Sequence, residues 1–492
     1  MTGTYLFVGH VVTMDDELGD FPSGAVLVQD GFIKAVGRRE DIQVPDGAET
    51  IDCTGGVVMP GLIDTHRHVA WSLFRGCGYD QSLLEFLLDA YVRILPAQSP
   101  EHARLSGFIG GLEAINCGVT TMHDPADGCI SHAHTEGEYR GLKDSGIRGY
   151  FTLGMSDGPY DDAAKGEAGH TARLKHLDQL FTENNKEKDP LMRVGMYLSH
   201  GGTVPFDMIA QEIRFAEQRN MFCTSHTACL KHSALTDGFN ERADAELLLP
   251  GHLYVHCTNL TEDQLHVLRK SGGKVSIAPE TESQMGMGIP PIRPCLDAGL
   301  KVTVGIDLTC GASPDLQAQL HLGLQMQRAL DHDAKFHSRR KVPLTVELTA
   351  RDALTWVTTN SADALGMASQ IGSLTPGKRA DVIFISTDRY MAPSSNILGT
   401  TALSTTSADV DTVMIDGKLR KRHGKLLDFD LSQVRGQADA ALAEIMTRMD
   451  AGPPPMTREQ VADYHLLSEK SSRTNLGKAY THGERGDWIN KR

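Results

Sequence analysis

Short apolar runs alternate along the chain with longer segments whose apolar residues recur at helical spacing. The first run, residues 57–63, is apolar except for one Pro-Gly step, which is typical of a strand buried on both faces. Helical patterns separate most of the runs, for example over residues 101–116 and 205–218. The later runs span residues 120–123, 149–153, 193–199, 222–225, 253–255, 274–278 and 301–305. Eight strands that alternate with helices predict an α/β fold, a (β/α)8 TIM-type barrel.

Both ends of the chain carry shorter β patterns. Near the N-terminus these span residues 5–8, 25–28, 32–36 and 56–58, and near the other end residues 380–385 and 410–417. Asp30-Gly31 and Asp416-Gly417 are dipeptides typical of tight hairpins. Because neither end alone offers much core, we expect the two ends to pair into one small β-sandwich beside the barrel.

These patterns divide the chain into a β-sandwich and a barrel that interrupts it. We predict the first part of the sandwich over residues 1–58, the barrel over 59–369 and the second part of the sandwich over 370–430. Residues 431–492 would form a C-terminal helix, which ends before Pro453-Pro454-Pro455, and a surface arm. The length of 492 residues fits more than one domain.

Almost every predicted barrel strand is followed by a titratable residue. In such barrels the functional groups gather at the C-terminal ends of the strands. His66 and His68 lie two residues apart after the first strand, so both imidazoles point toward one place. The later strands are followed, in chain order, by His123, His200, His226, His256, Glu280 with Glu282, and Asp307.

Three histidines and one aspartate make a nitrogen-rich set of candidate metal ligands: His66, His68, His226 and Asp307. This set suits Zn2+, with Fe2+ as the alternative, better than Mg2+ or Ca2+. A metal of this kind lowers the pKa of a bound water to near neutrality. Asp307 can also take a proton from that water, and His256 can hydrogen-bond the hydroxide or the charge that develops on the substrate.

Net charge, apolar runs and cysteine content indicate which classes of binding partner are expected. A formal net charge of −15 disfavours a nucleic acid, which prefers a basic surface. No apolar run is long enough to cross a membrane, so no membrane partner is expected. The nine cysteines are scattered and odd in number, which favours a reducing compartment, and we predict a cytoplasmic location. A small molecule is the expected partner.

Several stretches resemble motifs of the amidohydrolase superfamily, in the branch of cytosine deaminase, guanine deaminase and the triazine hydrolases. These stretches are PGLIDTHRH at 60–68, GVTT at 118–121, SH at 225–226, HCTNLT at 256–261, GID at 305–307 and GSLTPGKRAD at 372–381. The resemblance covers about residues 1–430. It implies a metal-bearing barrel with a β-sandwich made from both chain ends. It also implies metal ligation by the four residues named above and a catalytic role for His256.

The resemblance further implies one metal ion and an oligomer. The fourth strand, residues 193–200, lacks the lysine that bridges two metals in dinuclear relatives. Relatives are often dimers or tetramers, so we expect a homo-oligomer of one of these sizes by analogy.

Two positions depart from the family pattern. Family deaminases usually carry a glutamate three residues after the histidine of strand five, where this chain has Cys229. A neutral thiol is a poor substitute for a carboxylic acid in proton transfer. The usual Asn-Pro-x-Ser-Asn after strand seven is replaced here by APETES at 278–283. We hypothesise that Glu280 or Glu282 takes part of the acid/base role, with Cys229 as a nucleophile the weaker alternative.

The sequence therefore predicts a metal-dependent hydrolase that acts on a C–N bond of a small cyclic or aromatic substrate and releases an amino or another group. One alternative is a divergent member that cleaves a C–C or C–O bond or eliminates water. A non-catalytic scaffold is a third reading, which the complete ligand set disfavours. An apolar helix over residues 83–95 is expected to cover the pocket. The candidate substrate-binding residues are His123, His200, Trp71 and Arg75, with Phe74 beside them.

Overall fold

The secondary structure of the protein was obtained from a computed structural model, which describes residues 3–155, 166–186, 190–200, 204–230, 238–339, 342–464 and 466. The strands are β1 (Tyr5–Val11), β2 (Phe21–Gln29), β3 (Phe32–Arg38), β4 (Glu49–Pro60), β5 (Leu62–Asp64), β6 (Val119–Ala126), β7 (Arg148–Gly154), β8 (Met192–Tyr197), β9 (Cys223–Thr227), β10 (Leu253–His256), β11 (Lys274–Ile277), β12 (Val302–Val304), β13 (Val382–Ser386), β14 (Val410–Ile415), β15 (Lys418–Arg422) and β16 (Lys425–Leu426).

Helices connect most of the strands. They are α1 (Leu83–Phe86), α2 (Val92–Ala97), α3 (Pro100–Asn116), α4 (His132–Ser145), α5 (Gly166–Asn184), α6 (Phe206–Gln218), α7 (Phe239–Asp244), α8 (Glu262–Ser271), α9 (Pro279–Gln284), α10 (Ile292–Asp297), α11 (Leu316–Arg339), α12 (Ala350–Trp356), α13 (Thr359–Ala364), α14 (Ile397–Leu403) and α15 (Leu431–Asp450). A π-helical turn, Leu87–Tyr91, joins α1 to α2. No α-helix in the described part of the chain is both long and apolar enough to span a membrane.

Strands β5 to β12 form one parallel sheet in chain order. The last strand returns to the first: Asp307 N–H donates to the His66 carbonyl at 2.8 Å, and His68 N–H donates to the Asp307 carbonyl at 3.0 Å. Thr65 N–H also donates to the Val304 carbonyl at 3.3 Å. These bonds close the sheet, and the predicted (β/α)8 barrel is confirmed.

The other sheet is built from both ends of the chain, as predicted. Its strand order is β16-β15-β14-β13-β4-β1-β2-β3, and only the β1–β4 pair is parallel. The ends meet where β13 pairs with β4, from Val382 opposite Pro60 to Ser386 opposite Gly56. Side chains on one face form a separate apolar core that includes Phe7, Val26, Val58, Val382 and Met414.

The prediction of one strand over residues 57–63 was wrong in one respect. Residues up to Pro60 belong to β4 of the end sheet, whereas Leu62 begins β5 of the barrel. The chain changes sheets at Gly61, whose N–H donates to the Asp381 carbonyl at 3.0 Å. A Cβ on Gly61 would lie 2.1 Å from Thr120 Oγ1, so only glycine fits this crossing. The Pro-Gly step is therefore a junction rather than an interruption.

The C-terminal helix α15 packs against the segment α1 to α2, which is the predicted apolar helix over residues 83–95. The buried residues of α15, Ala441 and Ile445, belong to an apolar cluster that also contains Ile94, Leu95 and Trp71. We call this group the cover cluster; its other buried members are Ala70, Leu73, Phe74, Phe86, Ala90, Ala97, Leu105, Met285, Met287, Leu308 and Cys310. Most of the predicted surface arm, residues 465 and 467–492, lies outside the described residues.

A buried ion pair joins the barrel to the end sheet. Arg148, at the start of β7, is 1 % exposed and donates to Asp381 at 2.8 and 3.1 Å and to Asp416 at 2.9 Å.

We expect Arg148→Ala to lower the free energy of unfolding by about 3–5 kcal/mol, because it leaves the Asp381 carboxylate buried without its partner. Urea denaturation followed by circular dichroism measures this. Arg104→Ala, which breaks a solvent-facing pair with Glu101, is the control and should cost about 1 kcal/mol or less. Equal losses in the two variants would contradict the prediction.

Candidate active site

The four predicted metal ligands converge at the C-terminal end of the barrel. Their donor atoms all lie within 4.8 Å of one another. Asp307 Oδ1 is 3.2 Å from His66 Nε2 and 3.4 Å from His68 Nε2. His226 Nε2 is 3.2 Å from each of the other two Nε2 atoms. Residues far apart in the sequence thus present three nitrogens and one oxygen to a single point.

These distances fit the ligand shell of a single divalent metal ion. Ligands at the usual zinc distances of 2.0–2.1 Å stand about 3.3 Å apart around a tetrahedral centre. Four of the six separations between the donor atoms are 3.2–3.4 Å and match that value. His66 and Asp307 are 0 and 3 % exposed, so these two donors are shielded from bulk water. A divalent cation is the partner that satisfies three imidazole nitrogens and a carboxylate at such close range.

The backbone at the strand ends is held in an unusual conformation. Asp307, His256 and Ala228 have φ angles of 65°, 70° and 49°, in the left-handed region that residues other than glycine seldom adopt. At Asp307 both peptide groups are tied to the first strand by the two bonds that close the barrel. Strain of this kind is maintained only where the surrounding structure fixes it, and it occurs often at functional sites.

His68 is oriented by acceptors behind its ring. Its Nδ1 lies 2.9 Å from the Pro125 carbonyl and 3.4 Å from Asp127 Oδ2. An Nδ1–H donated to these groups leaves the Nε2 lone pair for the metal. Burial disfavours the charged imidazole, but the carboxylates of Asp127, Asp307 and Asp124 outweigh it and raise the pKa of His68 to about 9. Metal binding must therefore displace a proton from this ring.

His226 is oriented by a phenol. Its Nδ1 lies 2.8 Å from the Tyr197 hydroxyl, and the same hydroxyl lies 2.8 Å from His200 Nε2. Burial lowers the pKa of His226 well below its usual value, as does the neighbouring His66, so the ring is neutral at pH 7. The predicted substrate residue His200 is thus brought to the edge of the metal group.

His256 stands beside the metal group with a carboxylate behind it. Its ring centroid lies 5.4 Å from that of His66, and its Nε2 lies 3.9 Å from Asp307 Oδ2. On the other side, Nδ1 lies 3.1 Å from Glu282 Oε1. Glu282 is fully buried and also accepts a hydrogen bond from Ala278 N–H at 2.8 Å. Burial lowers the pKa of His256 to about 4, although Asp307 opposes this, so the imidazole is neutral at pH 7.

The two glutamates that the sequence suggested as acid/base residues have different hydrogen-bond partners in the structure. Glu282 reaches the metal group through His256, whereas the Glu280 carboxylate accepts from Ser313 N–H and Gln319 Nε2, both at 2.7 Å. Burial raises the pKa of Glu280. Ser313 and Gln319, which bind the Glu280 carboxylate, lie on the segment that follows β12.

The remaining predicted residues take other positions. His123 is fully buried, with Nδ1 2.8 Å from the Thr65 carbonyl and Nε2 2.9 Å from the Thr152 hydroxyl, so both ring nitrogens are engaged inside the barrel. Trp71 is fully buried in the cover cluster, and its Nε1–H donates to Asp127 at 3.4 Å. Arg75 is exposed and pairs with Glu113 of α3. Their roles toward a substrate stay predictions.

The position that carries a glutamate in family deaminases has an apolar setting here. Cys229 is partly buried and packs against the cover cluster. In the metal group found among the described residues, the only carboxylate is that of Asp307. Among the described residues, no second carboxylate joins the metal group in place of the family glutamate.

Two residues that the sequence did not indicate support the ligands. Asp127 and Tyr197 contact His68 and His226, respectively, on the side away from the metal point. Each lies near a strand end, which is the only signal that the sequence offers. Their partners come from other strands, so only the closed barrel shows the contacts.

The sequence profile of the amidohydrolase family matches residues 57–420. The chain belongs to the amidohydrolase family. It is a metal-dependent hydrolase by that membership and by its ligand group, and the predicted resemblance and hydrolase class are confirmed.

Three relatives show how far the similarity extends. A 5'-deoxyadenosine deaminase of Methanothermobacter thermautotrophicus is 27% identical over 446 residues, which cover 87% of this chain and 96% of the relative. The crystal structure of an adenosine deaminase from Xanthomonas campestris with bound zinc has a TM-score of 0.78 at 22% identity and covers 90% of this amidohydrolase and 99% of its own chain. A zinc complex of atrazine chlorohydrolase from Arthrobacter aurescens has a TM-score of 0.75 at 18% identity. The match covers 89% of this chain and 100% of the chlorohydrolase chain. At these identities the two structures show the shared fold.

Proposed function

We propose that this amidohydrolase binds one Zn2+ and deaminates an adenosine-type nucleoside, with 5'-deoxyadenosine as the first candidate. The observation that carries the proposal is the four-donor group at the barrel's C-terminal end, with His256 directly beside it. The 5'-deoxyadenosine deaminase relative, which matches over nearly its whole length, supports the substrate class. The net reaction exchanges the ring amino group for an oxygen from water and releases ammonia.

A divalent metal at this group supplies a Lewis acid that lowers the pKa of water to near neutrality. The residues around it supply the proton transfers. Asp307 takes up the proton that the attacking water loses, because its carboxylate lies at the metal point. His256 Nε2, 3.9 Å from Asp307 Oδ2, is close enough to relay a proton after a small movement.

Glu282 is the residue that makes His256 suitable for this role. With Nδ1–H donated to the Glu282 carboxylate, the Nε2 lone pair of His256 faces the site. A buried carboxylate in this position also stabilises the imidazolium that forms when Nε2 accepts a proton. The protonated ring then donates to the departing nitrogen. This pair supports the view that His256 with Glu282, rather than a group at position 229, completes the acid/base chemistry.

A second candidate reaction is the displacement of a leaving group other than an amine. Cys229 in place of the family glutamate favours it, because a halide or alkylthio group departs without the proton that an amine requires. The metal ligands and His256 would serve this reaction equally well.

The proposal is tested by product release from enzyme that was stripped with a chelator and reloaded with Zn2+. The substrates are 5'-deoxyadenosine, adenosine, guanine, cytosine and 6-chloropurine riboside. We expect ammonia from 5'-deoxyadenosine, loss of that activity on stripping, and its recovery on reloading. Chloride release without any ammonia would favour the second candidate. No product from fully metallated protein would contradict both.

We also propose a cellular location and an oligomeric state for the enzyme. None of the nine cysteines, all of which lie in the described residues, forms a disulfide, which supports a reducing cytoplasmic location. A homo-oligomer, dimer or tetramer, is proposed by analogy with the family.

A further inference from the structure

Two cysteines from opposite ends of the barrel sequence meet at the edge of the cover cluster. Cys77 lies in the segment between β5 and α1, and Cys310 lies in the segment between β12 and α11. The Cys310 carbonyl accepts the N–H groups of Gly76 and Gly78, at 3.0 and 3.1 Å, so the residues on both sides of Cys77 bind one atom of Cys310. The Cys310 thiol also donates a hydrogen bond to the Cys77 sulfur. The two sulfur atoms are therefore neighbours on paired backbones.

The two segments pack directly on each other at this point. Gly78 and Gly311, each next to one of the cysteines, face each other: a Cβ on Gly78 would lie 3.6 Å from Gly311 Cα, and a Cβ on Gly311 would lie 3.7 Å from the Gly78 carbonyl oxygen. A disulfide requires two Cα atoms within about 7 Å of each other, so only cysteines on closely packed backbones are joined without backbone movement. Cys77 and Cys310 lie on such backbones.

The two thiols differ in exposure and in acidity. Cys77 is partly exposed, whereas Cys310 is fully buried. The hydrogen bond from Cys310 lowers the pKa of Cys77, and burial raises the pKa of Cys310. The thiolate is the nucleophilic form of cysteine, so an exposed thiol with a lowered pKa is the one that reacts first. Cys77 is thus the thiol that meets a small oxidant, and Cys310 stands ready to react with the product.

The contact joins the two segments that carry most of the metal group. The segment after β5 contains His66 and His68, and the segment after β12 contains Asp307, three residues before Cys310. A sulfur–sulfur bond of ~2.05 Å is much shorter than a hydrogen bond between two thiols, so its formation would draw the segments together. A misplacement of about 1 Å in an active site can cost ~10²-fold in rate.

We propose that Cys77 and Cys310 form an oxidation site for hydrogen peroxide, at which a reversible disulfide ties the two segments together and lowers turnover. None of the four candidate metal ligands is a cysteine, so the site is chemically separate from the metal group. In a reducing cytoplasm both residues stay thiols until peroxide rises.

The oxidation takes place in two steps. The Cys77 sulfur attacks one oxygen of the peroxide, the O–O bond breaks, and the other oxygen leaves as water with the thiol hydrogen, which gives a sulfenic acid. The Cys310 sulfur then attacks the Cys77 sulfur, the S–O bond breaks, and a second water leaves with the Cys310 hydrogen. Two thiols are oxidised to one disulfide, and one peroxide is reduced to two waters. A thiol reductant reverses the reaction by exchange.

The disulfide is tested without any substrate. Zinc-loaded full-length protein is treated with hydrogen peroxide, the remaining thiols are blocked, and an unreduced digest is analysed by mass spectrometry. We expect the Cys77 and Cys310 peptides as one linked species, which lacks two hydrogens and separates on reduction. Cys229 is the other partly exposed cysteine and packs against the same cluster, so it is the competing partner. A Cys77–Cys229 link, an unreacted Cys77 or a Cys77 sulfinic acid as the main product would overturn the proposal.

The effect on turnover rests on the proposed function and is measured with 5'-deoxyadenosine on the same samples. We expect the oxidised wild type to lose about tenfold or more in kcat and to regain it with dithiothreitol. Cys77→Ser and Cys310→Ala should each keep their activity through the same treatment. Cys53→Ala, which removes a buried thiol from the end sheet, is the matched control and should remain sensitive.

Two outcomes would overturn the regulatory part of the proposal. One is full activity in wild-type protein whose Cys77 and Cys310 are linked. The other is an equal loss of activity in Cys77→Ser and the wild type. If reduced, zinc-loaded enzyme does not turn over 5'-deoxyadenosine at all, the proposed substrate fails, while the linked peptides still decide the oxidation site.

Discussion

Replacing His66 with alanine is expected to empty the metal group and to lower hydrolysis by about 10³-fold or more. His66 Nε2 contacts both Asp307 and His226, so its loss removes the donor at the centre of the group. A metal at such a site contributes several kcal/mol of catalysis, and each 1.4 kcal/mol is about tenfold in rate. Metal content by mass spectrometry and turnover of the best substrate are measured on the same preparation.

The control for His66 is a histidine that is far from the group. His337→Ala removes an imidazole that is 54 % exposed on α11 and pairs with Asp333. Its metal content and turnover should match the wild type. Full metal retention by the His66 variant would show that the converging donors do not form the metal site, and the proposed chemistry would lose its basis.

Replacing His256 with alanine is expected to lower kcat by about 10²–10⁴-fold while the metal is retained, because it removes the proposed proton carrier and no metal ligand. Glu282→Gln should lower kcat by about 10–10²-fold, since the amide keeps the shape but not the charge behind His256. KM should change little in either variant. The measurement is steady-state kinetics with metal content determined in parallel.

The decisive comparison for this pair is with Glu280, which is close in sequence but binds Ser313 and Gln319 instead. Glu280→Gln should affect thermal stability more than kcat. The double variant His256→Ala/Glu282→Gln should be no slower than His256→Ala alone, because Glu282 acts only through the imidazole. Additive losses in the double variant, or a larger kcat loss from Glu280→Gln, would refute the assignment.

The metal group could be predicted because each ligand follows a strand of a regular barrel. Once eight apolar runs are recognised, the closed sheet brings His66, His226 and Asp307 together without further information. The pairing of the chain ends was predictable for a similar reason, since Asp30-Gly31 and Asp416-Gly417 indicate matching hairpins.

Glu282 was a candidate from the sequence, but the rings that the supporting residues contact could not be predicted from it. Asp127, Tyr197 and Glu282 act on rings contributed by other strands, and their distances depend on how each strand end bends. The left-handed backbone at His256 and Asp307 orients two of the groups. Asp and His adopt this conformation more often than most residues, but the residue type alone does not predict it at a given position. Arg75 was predicted to line the pocket from its place near Trp71 in the sequence. Its exposed side chain pairs with Glu113, and its role toward a substrate stays a prediction.

The crossing at Gly61 has a consequence for the synthesis of the protein. Strand β4 can form its pairs with β1 early, but its other edge must wait for β13, which emerges after the whole barrel. At ~5–20 residues per second this delay is roughly tens of seconds. During that time the nascent chain presents an unpaired, apolar strand edge directly joined to the first barrel strand. We expect this edge to be open to pairing with other chains until β13 has been made.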